Sequence, residues 1–310
     1  MKSLPISVLI PTMNRLESLK TTVNSFISNE YIPAQIVVVD QSQECEMQNE
    51  IKNFLSSLNS TRIEYIYQNF ASLTKARNLA WKAASEEIVI CSDDDVFINA
   101  DTLKNIYDII QDESVAMIAG IDENTPASAS NIGYLLGTKS FANRKIGHVT
   151  LSMLGRYPDN IVGEIETQWA MGYFFAVKKS LADNWDIKWD EKLTSYAYAE
   201  DLDFSYRYYR CAKAMGLRCV LNDRVKVKHM VSKEYRIPSR KNTYMYVINR
   251  AYLSYKLNMG LKSRIAMRWC DFWKTVERIL KKQNPYDIIS DIKYAKKHRA
   301  DIRNGIISYE

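Results

Sequence analysis

The strongest constraint on this chain is a unit that repeats through its first 120 residues: a short apolar run, closed by a polar or acidic cluster, then a stretch with helical spacing. ISVLI (6–10) stops at Pro11, and 15–28 then carries Leu16, Leu19, Val23, Phe26 and Ile27 at helical intervals. IVVV (36–39) ends at Asp40 and is followed by a helical pattern over 44–58. RIEYIY (62–67) alternates like a strand, and 71–85 reads as a helix. EIVIC (87–91) runs into SDDD, 101–111 reads as a helix, and VAMIAG (115–120) is a further strand. Continuous apolar runs predict strands buried on both faces. Their alternation with helices predicts an α/β domain, Rossmann-like, with a mostly parallel central sheet flanked by helices.

Residues 121–168 break the rhythm; they are polar, lack periodicity and predict a functional loop or lid. A strand over 169–177, a helix over 199–215 and two short strands, LRCVL (217–221) and VKVKH (225–229), follow. Beyond Pro238 the pattern turns helical, over 241–258 and 261–282. The charge changes at the same place. Residues 236–310 hold 17 Lys+Arg and 6 Asp+Glu, a net of +11; residues 1–235 hold 25 and 30, a net of −5; together they give the +6 of the chain. This divides the sequence into an α/β domain over 1–235 and a basic helical extension over 236–310.

The 46% hydrophobic and 25% charged content excludes disorder as the main state. No apolar run reaches the 18 or so residues of a membrane span. The opening MKSLPISVLIPT does not read as a signal peptide, because Pro5 and Pro11 bracket a short apolar stretch. Five cysteines without metal-like spacing fit reduced thiols and a cytoplasmic setting.

In open α/β sheets ligands bind outside the carboxyl ends of the strands. Three polar clusters fall there: Thr12 and Asn14 after the first strand, Asp40 after the second, and Asp93, Asp94 and Asp95 after the fourth. Neither GxGxxG nor GxxxxGKS occurs, so a phosphate cannot rest on a glycine-rich turn. Adjacent carboxylates offer another route, a hard divalent cation bridging a diphosphate. A solvated turn or a helix cap is the ordinary reading of SDDDV; its place directly after an apolar strand, with Asp40 near, favours the cation.

The segments SVLIPTMNR, VVVDQS, KARNLAWKAA, ICSDDDV, MGYFFAVKK and AEDLDFSYR, in this order over about residues 4–232, resemble glycosyltransferase family 2. That resemblance implies a GT-A fold and transfer of a sugar, a hexose or N-acetylhexosamine, from a nucleoside diphosphate donor, with UDP the expected nucleotide. It implies that Pro11, Thr12, Asn14 and Asp40 line the nucleotide pocket and that Arg77 and Asn78 close it near the base. The triple Asp matches the DXD motif. Asp93 and Asp95 form the natural first-and-third pair, with Asp93 toward the ribose and Asp95 on the metal, while a register shifted by one makes Asp94 the main ligand. His229 would hold the same ion, Mn²⁺ or Mg²⁺, from the other side.

Glu200-Asp201 matches the family's ED pair, which implies an inverting reaction with Asp201 as the base and Glu200 second; Arg207 could pair with a carboxylate here. Gly172 would let the backbone approach the donor sugar, and Trp169 either stacks on an acceptor sugar or packs in the core. In the tail, Ile265, Trp269, Phe272, Trp273, Val276 and Leu280 form one helical stripe beside Lys262, Arg264, Arg268, Lys274, Arg278, Lys281 and Lys282. Such a helix either lies on an anionic membrane surface or packs on the domain; nucleic acid is not expected, since no binding motif accompanies the charge. The expected role is assembly of surface polysaccharide, capsule or lipopolysaccharide, with a glycan or lipid-linked acceptor at the inner face of the cell membrane. A non-catalytic nucleotide-sugar or glycan-binding protein and a sugar nucleotidyltransferase are the rival readings.

Overall fold

The computed structural model describes residues 1–310 except 125–128, 195, 233, 235–237 and 308–310. β1 (Lys2–Thr12), β2 (Tyr31–Asp40), β3 (Arg62–Tyr67) and β4 (Ile88–Ser92) alternate with α1 (Leu16–Ile27), α2 (Cys45–Ser56) and α3 (Leu73–Ala83). After them come β5 (Val96–Ile98), α4 (Thr102–Ile110) and β6 (Val115–Asp122). β1 pairs in parallel with both β2 and β4, and β2 with β3. Thr12 therefore lies beside Asp40, and Leu9 beside Cys91, so the polar clusters after β1, β2 and β4 share one rim.

Both faces of this sheet are covered, which is why its strands read as unbroken apolar runs. Side chains alternate across a strand. Ile6, Val8 and Ile10 meet Leu19, Val23 and Phe26 of α1 on one face. Leu9, Val37 and Val39 meet Ala76, Ala80 and Trp81 of α3 on the other.

Residues 121–168 are not one irregular loop. They form α5 (Asn131–Leu135), β7 (Phe141–Ala142), β8 (His148–Val149), β9 (Gly155–Pro158) and β10 (Glu164–Glu166). β7, β9 and β8 make a small separate sheet, and β10 adds to an edge of the main one. Elements this short carry too little periodicity to show in a sequence. The run expected as a strand over 169–177 becomes one only at β11 (Phe174–Lys178). Three successive N–H groups ahead of it, those of 170–172, are taken by side chains: Ala170 donates to Ser205 Oγ (3.0 Å), Met171 to Tyr157 Oη (3.1 Å) and Gly172 to Asp201 Oδ2 (2.8 Å). Those three donors are therefore not free for a ladder.

α6 (Lys179–Asn184), α7 (Glu200–Ala214) and β12 (Arg218–His229) follow. β12 is a single strand where two were expected: its register against β6 shifts between Leu221 and Lys226, so the polar Asn222-Asp223-Arg224 step is a bulge and not a turn. The main sheet runs β10-β12-β6-β11-β4-β1-β2-β3, with β5 on β12 and β11 antiparallel to both its neighbours.

The C-terminal segment forms α8 (Ser239–Lys256), α9 (Gly260–Leu280), α10 (Tyr286–Lys297) and α11 (Arg299–Arg303). α8 is buried against the α/β body through Ile248, Tyr252 and Leu253. Lys256 Nζ anchors its end, 2.7 Å from Asp190 Oδ2 and 2.8 Å from Asp203 Oδ2. α9 packs through Ser263, Met267, Cys270 and Asp271, so the stripe of Ile265, Trp269 and Phe272 faces away from the body. Three contacts hold it that way. Arg250 Nη1 lies 2.7 Å from Asp271 Oδ1, the Ser254 and Ser263 hydroxyls are 2.8 Å apart, and Gly137, at φ 77°, abuts Cys270 so closely that a Cβ would sit 2.5 Å from its sulfur.

Candidate active site

A cleft of about 920 Å³ opens at the carboxyl rim of the sheet. Its floor is Pro11, Thr12 and the acidic step after β4, and its far wall is Gly172, Glu200, Asp201 and His229. The acidic step splits by direction. Asp94 turns into the protein, where its carboxylate accepts from Thr12 Oγ1 (2.7 Å) and from Arg15 Nη1 (3.0 Å). Burial pushes its pKa up to about 7 against the opposing pull of Arg15 and Thr12. Asp93 and Asp95 point the other way, and with His229 they place one ligand atom each within 4.8 Å of one another. The geometry thus gathers the first and third carboxylates and leaves the second to Arg15, a partner with no separate signal in the sequence.

His229 ends β12, and its ring stacks on Tyr173 at 4.9 Å. Its Nε2 lies 3.3 Å from Asp95 Oδ1, an ion-pair distance without hydrogen-bond alignment. Ser232 N donates to Asp95 Oδ2 at 2.8 Å. Burial works against the charge on Asp95, but His229, Ser232 and Arg15 together hold its pKa below the ordinary value. Burial also opposes the charge on His229, yet Asp95, Asp93 and Asp122 raise its pKa. Two carboxylates and an imidazole at this spacing suit a divalent ion of the Mn²⁺ or Mg²⁺ kind. The charge of the whole cleft agrees. Six acidic side chains, Asp93, Asp94, Asp95, Asp122, Glu200 and Asp201, line it against the four basic ones of Arg15, Arg77, Arg156 and Lys241.

Asp201, the second residue of α7, is half-buried at the cleft wall, whereas Glu200, the first, is buried. Asp201 accepts from Gly172 N and Leu202 N, both at 2.8 Å; burial raises its pKa while those two amides oppose the rise. Ala199 before the pair adopts φ 67°, ψ 20°, a left-handed conformation that costs a non-glycine residue of order 1 kcal/mol or more. Gly172 is hemmed in by this pair: a Cβ there would meet Asp201 Cβ at 3.0 Å and Glu200 Oε1 at 3.2 Å.

Arg77 lies beneath both acidic groups. Its Nη2 donates to Asp93 Oδ1 (3.0 Å) and Gly172 O (2.9 Å) and sits 3.4 Å from Glu200 Oε1. Burial works against its charge, but the carboxylates around it raise its pKa. One guanidinium among three carboxylates does not keep them all ionised, and Glu200, desolvated and beside Asp201, is pushed up to about 8.

Several predicted site residues lie elsewhere. Asn78 turns away from the cleft, bonding the backbone O of Trp189 and Glu191 Oε1, each at 3.0 Å. Asp40 is fully buried and accepts from Ser42 N (2.8 Å) and Tyr65 Oη (2.9 Å). Asn14, at φ 57°, donates its N–H to Ser42 Oγ, and its buried Oδ1 has no hydrogen-bond partner. Trp169 lines the cleft but is packed against Gly155 and Tyr157, its Nε1 donating to Arg156 O at 3.1 Å. Arg207 pairs with Asp203, not with the Glu200-Asp201 pair.

Known proteins place this geometry. Among curated protein sequences none matches. Among solved structures, the first 349 residues of S. aureus TarS match with a TM-score of 0.51 and 19% identity over 90% of this chain and 72% of that one. A mannosyltransferase from Pyrobaculum calidifontis in complex with GDP-Man and Mn²⁺ matches with a TM-score of 0.57 and 14% identity over 98% of this chain and 85% of that one. GalNAc-T7 with UDP, GalNAc and Mn²⁺ matches with a TM-score of 0.58 and 17% identity over 92% of this chain and 58% of that one. At these identities the likeness is one of fold, the GT-A form of the α/β class. The model of the glycosyl transferase family 2 matches residues 7–185, more than half of the chain, and the protein belongs to that family.

Proposed function

We propose that this protein is a metal-dependent, inverting glycosyltransferase that moves a sugar from a nucleoside diphosphate donor to a hydroxyl of a glycan or lipid-linked acceptor. The observation that carries it is the convergence of Asp93, Asp95 and His229 with Asp201 in one cleft of a family 2 chain. The similar structures hold UDP-GlcNAc in TarS and GDP-Man with Mn²⁺ in the mannosyltransferase, which supports a nucleotide-sugar donor; UDP is the expected one here.

Pro11 and Thr12 form the donor floor, and Arg77 fixes Asp93, Glu200 and the Gly172 carbonyl around the sugar end. Asp201 accepts the proton of the acceptor hydroxyl as its oxygen attacks the anomeric carbon. The bond from that carbon to the diphosphate breaks, and the electron pair leaves on the phosphate oxygen. Asp93, Asp95 and His229 would hold a divalent ion, which would supply positive charge for the departing diphosphate. The partial exposure of Asp201 at the cleft wall gives an acceptor hydroxyl access to it that buried Glu200 lacks.

The α9 stripe supports a site of action at an anionic membrane surface, and with it a place on the cytoplasmic face. Leu261, Ile265, Trp269, Phe272, Ile279 and Leu280 are exposed, and Ile132 and Leu135 of α5 join them where Trp269 Nε1 bonds Leu135 O at 3.0 Å. Arg264 and Arg268 flank the stripe with positive charge, as an anionic bilayer requires. No helix among the described residues is long and apolar enough to cross a membrane, so the contact is one of surface.

The test is donor turnover with Mn²⁺ across UDP, GDP, dTDP and CMP sugars, in the wild type, Asp201→Asn and Asp95→Ala. Release of nucleoside phosphate by the wild type, reduced at least 100-fold in both variants, is expected. Pyrophosphate release indicates the nucleotidyltransferase. Binding without turnover, unchanged in both variants, indicates the binding protein.

A further inference from the structure

Beside the cleft lies a second cavity of about 280 Å³, lined by Arg156, Lys274 and Arg278 and, among the described residues, by no carboxylate. Ser140, Leu154, Arg156, Tyr198, Ser239 and Asn242 line both, so the two cavities adjoin. Its chemistry is the opposite of the acidic cleft.

The decisive residue is Arg156. Arg77, Arg156 and Arg250 are the buried arginines among the described residues. Arg77 pairs with Asp93 and Glu200, and Arg250 with Asp271. Arg156 has no carboxylate. It donates only to Ser140 Oγ (3.4 Å), Gly155 O (3.1 Å) and Gly137 O (3.2 Å), and its buried Nε has no hydrogen-bond partner. Burial accordingly depresses its pKa, and no acidic side chain of Asp or Glu offsets this. A buried cation left without an anion is costly, and is retained where an anion arrives from outside.

Further donors surround it. Tyr246 Oη, in the same wall, is buried and without a hydrogen-bond partner. The first turn of α8 contributes Ser239, Asn242 and Thr243, and Pro238 at its N-cap supplies no side-chain cap. A helix N-terminus favours an anion. Lys274 and Arg278 reach in from the inner face of α9, Lys274 also pairing with Glu277 at 2.7 Å and Arg278 donating to Thr243 Oγ1 at 2.6 Å.

We propose that this chamber is an acceptor subsite that binds a phosphate or diphosphate group, so that the sugar acceptor is a phosphate-bearing molecule. The inference rests on the glycosyltransferase reading and names its acceptor class. The phosphate sits on Arg156, Tyr246 and the α8 N-terminus, and the acceptor hydroxyl extends from it into the cleft toward Asp201. The same chemistry is offered by a lipid-linked diphosphate and by a polyol phosphate chain.

The experiment is a titration of inorganic pyrophosphate into the full chain in excess chelator, where metal-dependent donor binding is silent. The wild type is expected to bind, and Lys274→Gln with Arg278→Gln to bind on the order of tenfold more weakly, with Arg156→Gln weaker still. The thermal midpoint and nucleotide-sugar binding with Mn²⁺ serve as checks that the variants fold. Displacement of pyrophosphate by a short-chain prenyl diphosphate or by a glycerol phosphate oligomer identifies the source. No binding by a wild type that still binds nucleotide sugar, or equal binding by wild type and folded variants, overturns the subsite and leaves the donor reading intact. Failure of nucleotide-sugar binding with pyrophosphate binding retained overturns the donor reading instead.

Discussion

One guanidinium nitrogen ties the candidate site together. Nη2 of Arg77 serves Asp93, the carbonyl of Gly172 and Glu200 at once, joining the acidic step after β4 to the start of α7. Arg77→Met takes the cation from half-buried Asp93 and the donor from the Gly172 carbonyl beside buried Glu200, a loss of about 1–3 kcal/mol. Chemical denaturation should show it, and an unchanged midpoint would mean that the three groups do not depend on Arg77. The same crowding sets a pH dependence. Glu200 keeps its proton to about pH 8 in the fold against 4.5 when unfolded. A carboxyl with a raised folded pKa contributes stability that is whole below the unfolded value and is lost as pH rises through the folded one. The thermal midpoint of the chelator-treated protein should therefore fall between about pH 4.5 and 8, and Glu200→Gln should flatten that fall. A midpoint that rises over this window in the wild type would contradict the assignment.

Residue positions were legible in the sequence where type and place coincide. Three aspartates after an apolar strand can be read; which of them faces outward cannot, because Asp94 is decided by Thr12 and Arg15 from β1 and the turn beyond it. Asn78 looked equivalent to its neighbour Arg77, but adjacent positions on a helix point in different directions, and Asn78 instead braces the backbone of Trp189. Arg156, in a stretch without periodicity, gave no signal: its isolation from carboxylates is a fact of three dimensions.

At the scale of elements, the strands β1, β2 and β4 were readable because burial on both faces leaves unbroken apolar runs. The entry to β11 was not, because Ser205, Tyr157 and Asp201 capture its N–H groups from distant parts of the chain. For α9 the stripe was plain in the sequence and its direction was not. Arg250, Ser254 and Gly137 fix the polar and small face inward. Trp269→Ser with Phe272→Ser should reduce binding to vesicles containing anionic lipid by at least tenfold, since each buried aromatic contributes about 1.5–3 kcal/mol. The thermal midpoint should fall only slightly, since both side chains are about half exposed and one hydrogen bond, Trp269 to Leu135, is lost at about 1 kcal/mol. Equal vesicle binding by the double variant would show that α9 is not the contact.

As a whole, the molecule sets two chemistries side by side: a cleft lined by six acidic side chains and a basic chamber beneath α8 and α9. The basic balance of 236–310 already accounted for Lys274 and Arg278 of the chamber, though not for Arg156. The fold turns it into neighbouring cavities, one suited to a metal-bound diphosphate and the other to a phosphate. The direct measurement is electron paramagnetic resonance of Mn²⁺ titrated into the chain with UDP, in the wild type and Asp95→Ala. The account predicts one Mn²⁺ per wild-type chain, bound more tightly when the nucleotide is present, and a loss of at least tenfold in affinity in Asp95→Ala. Mn²⁺ that remains free in the wild type with UDP and with every other nucleoside diphosphate, or that binds the variant equally well, would contradict it.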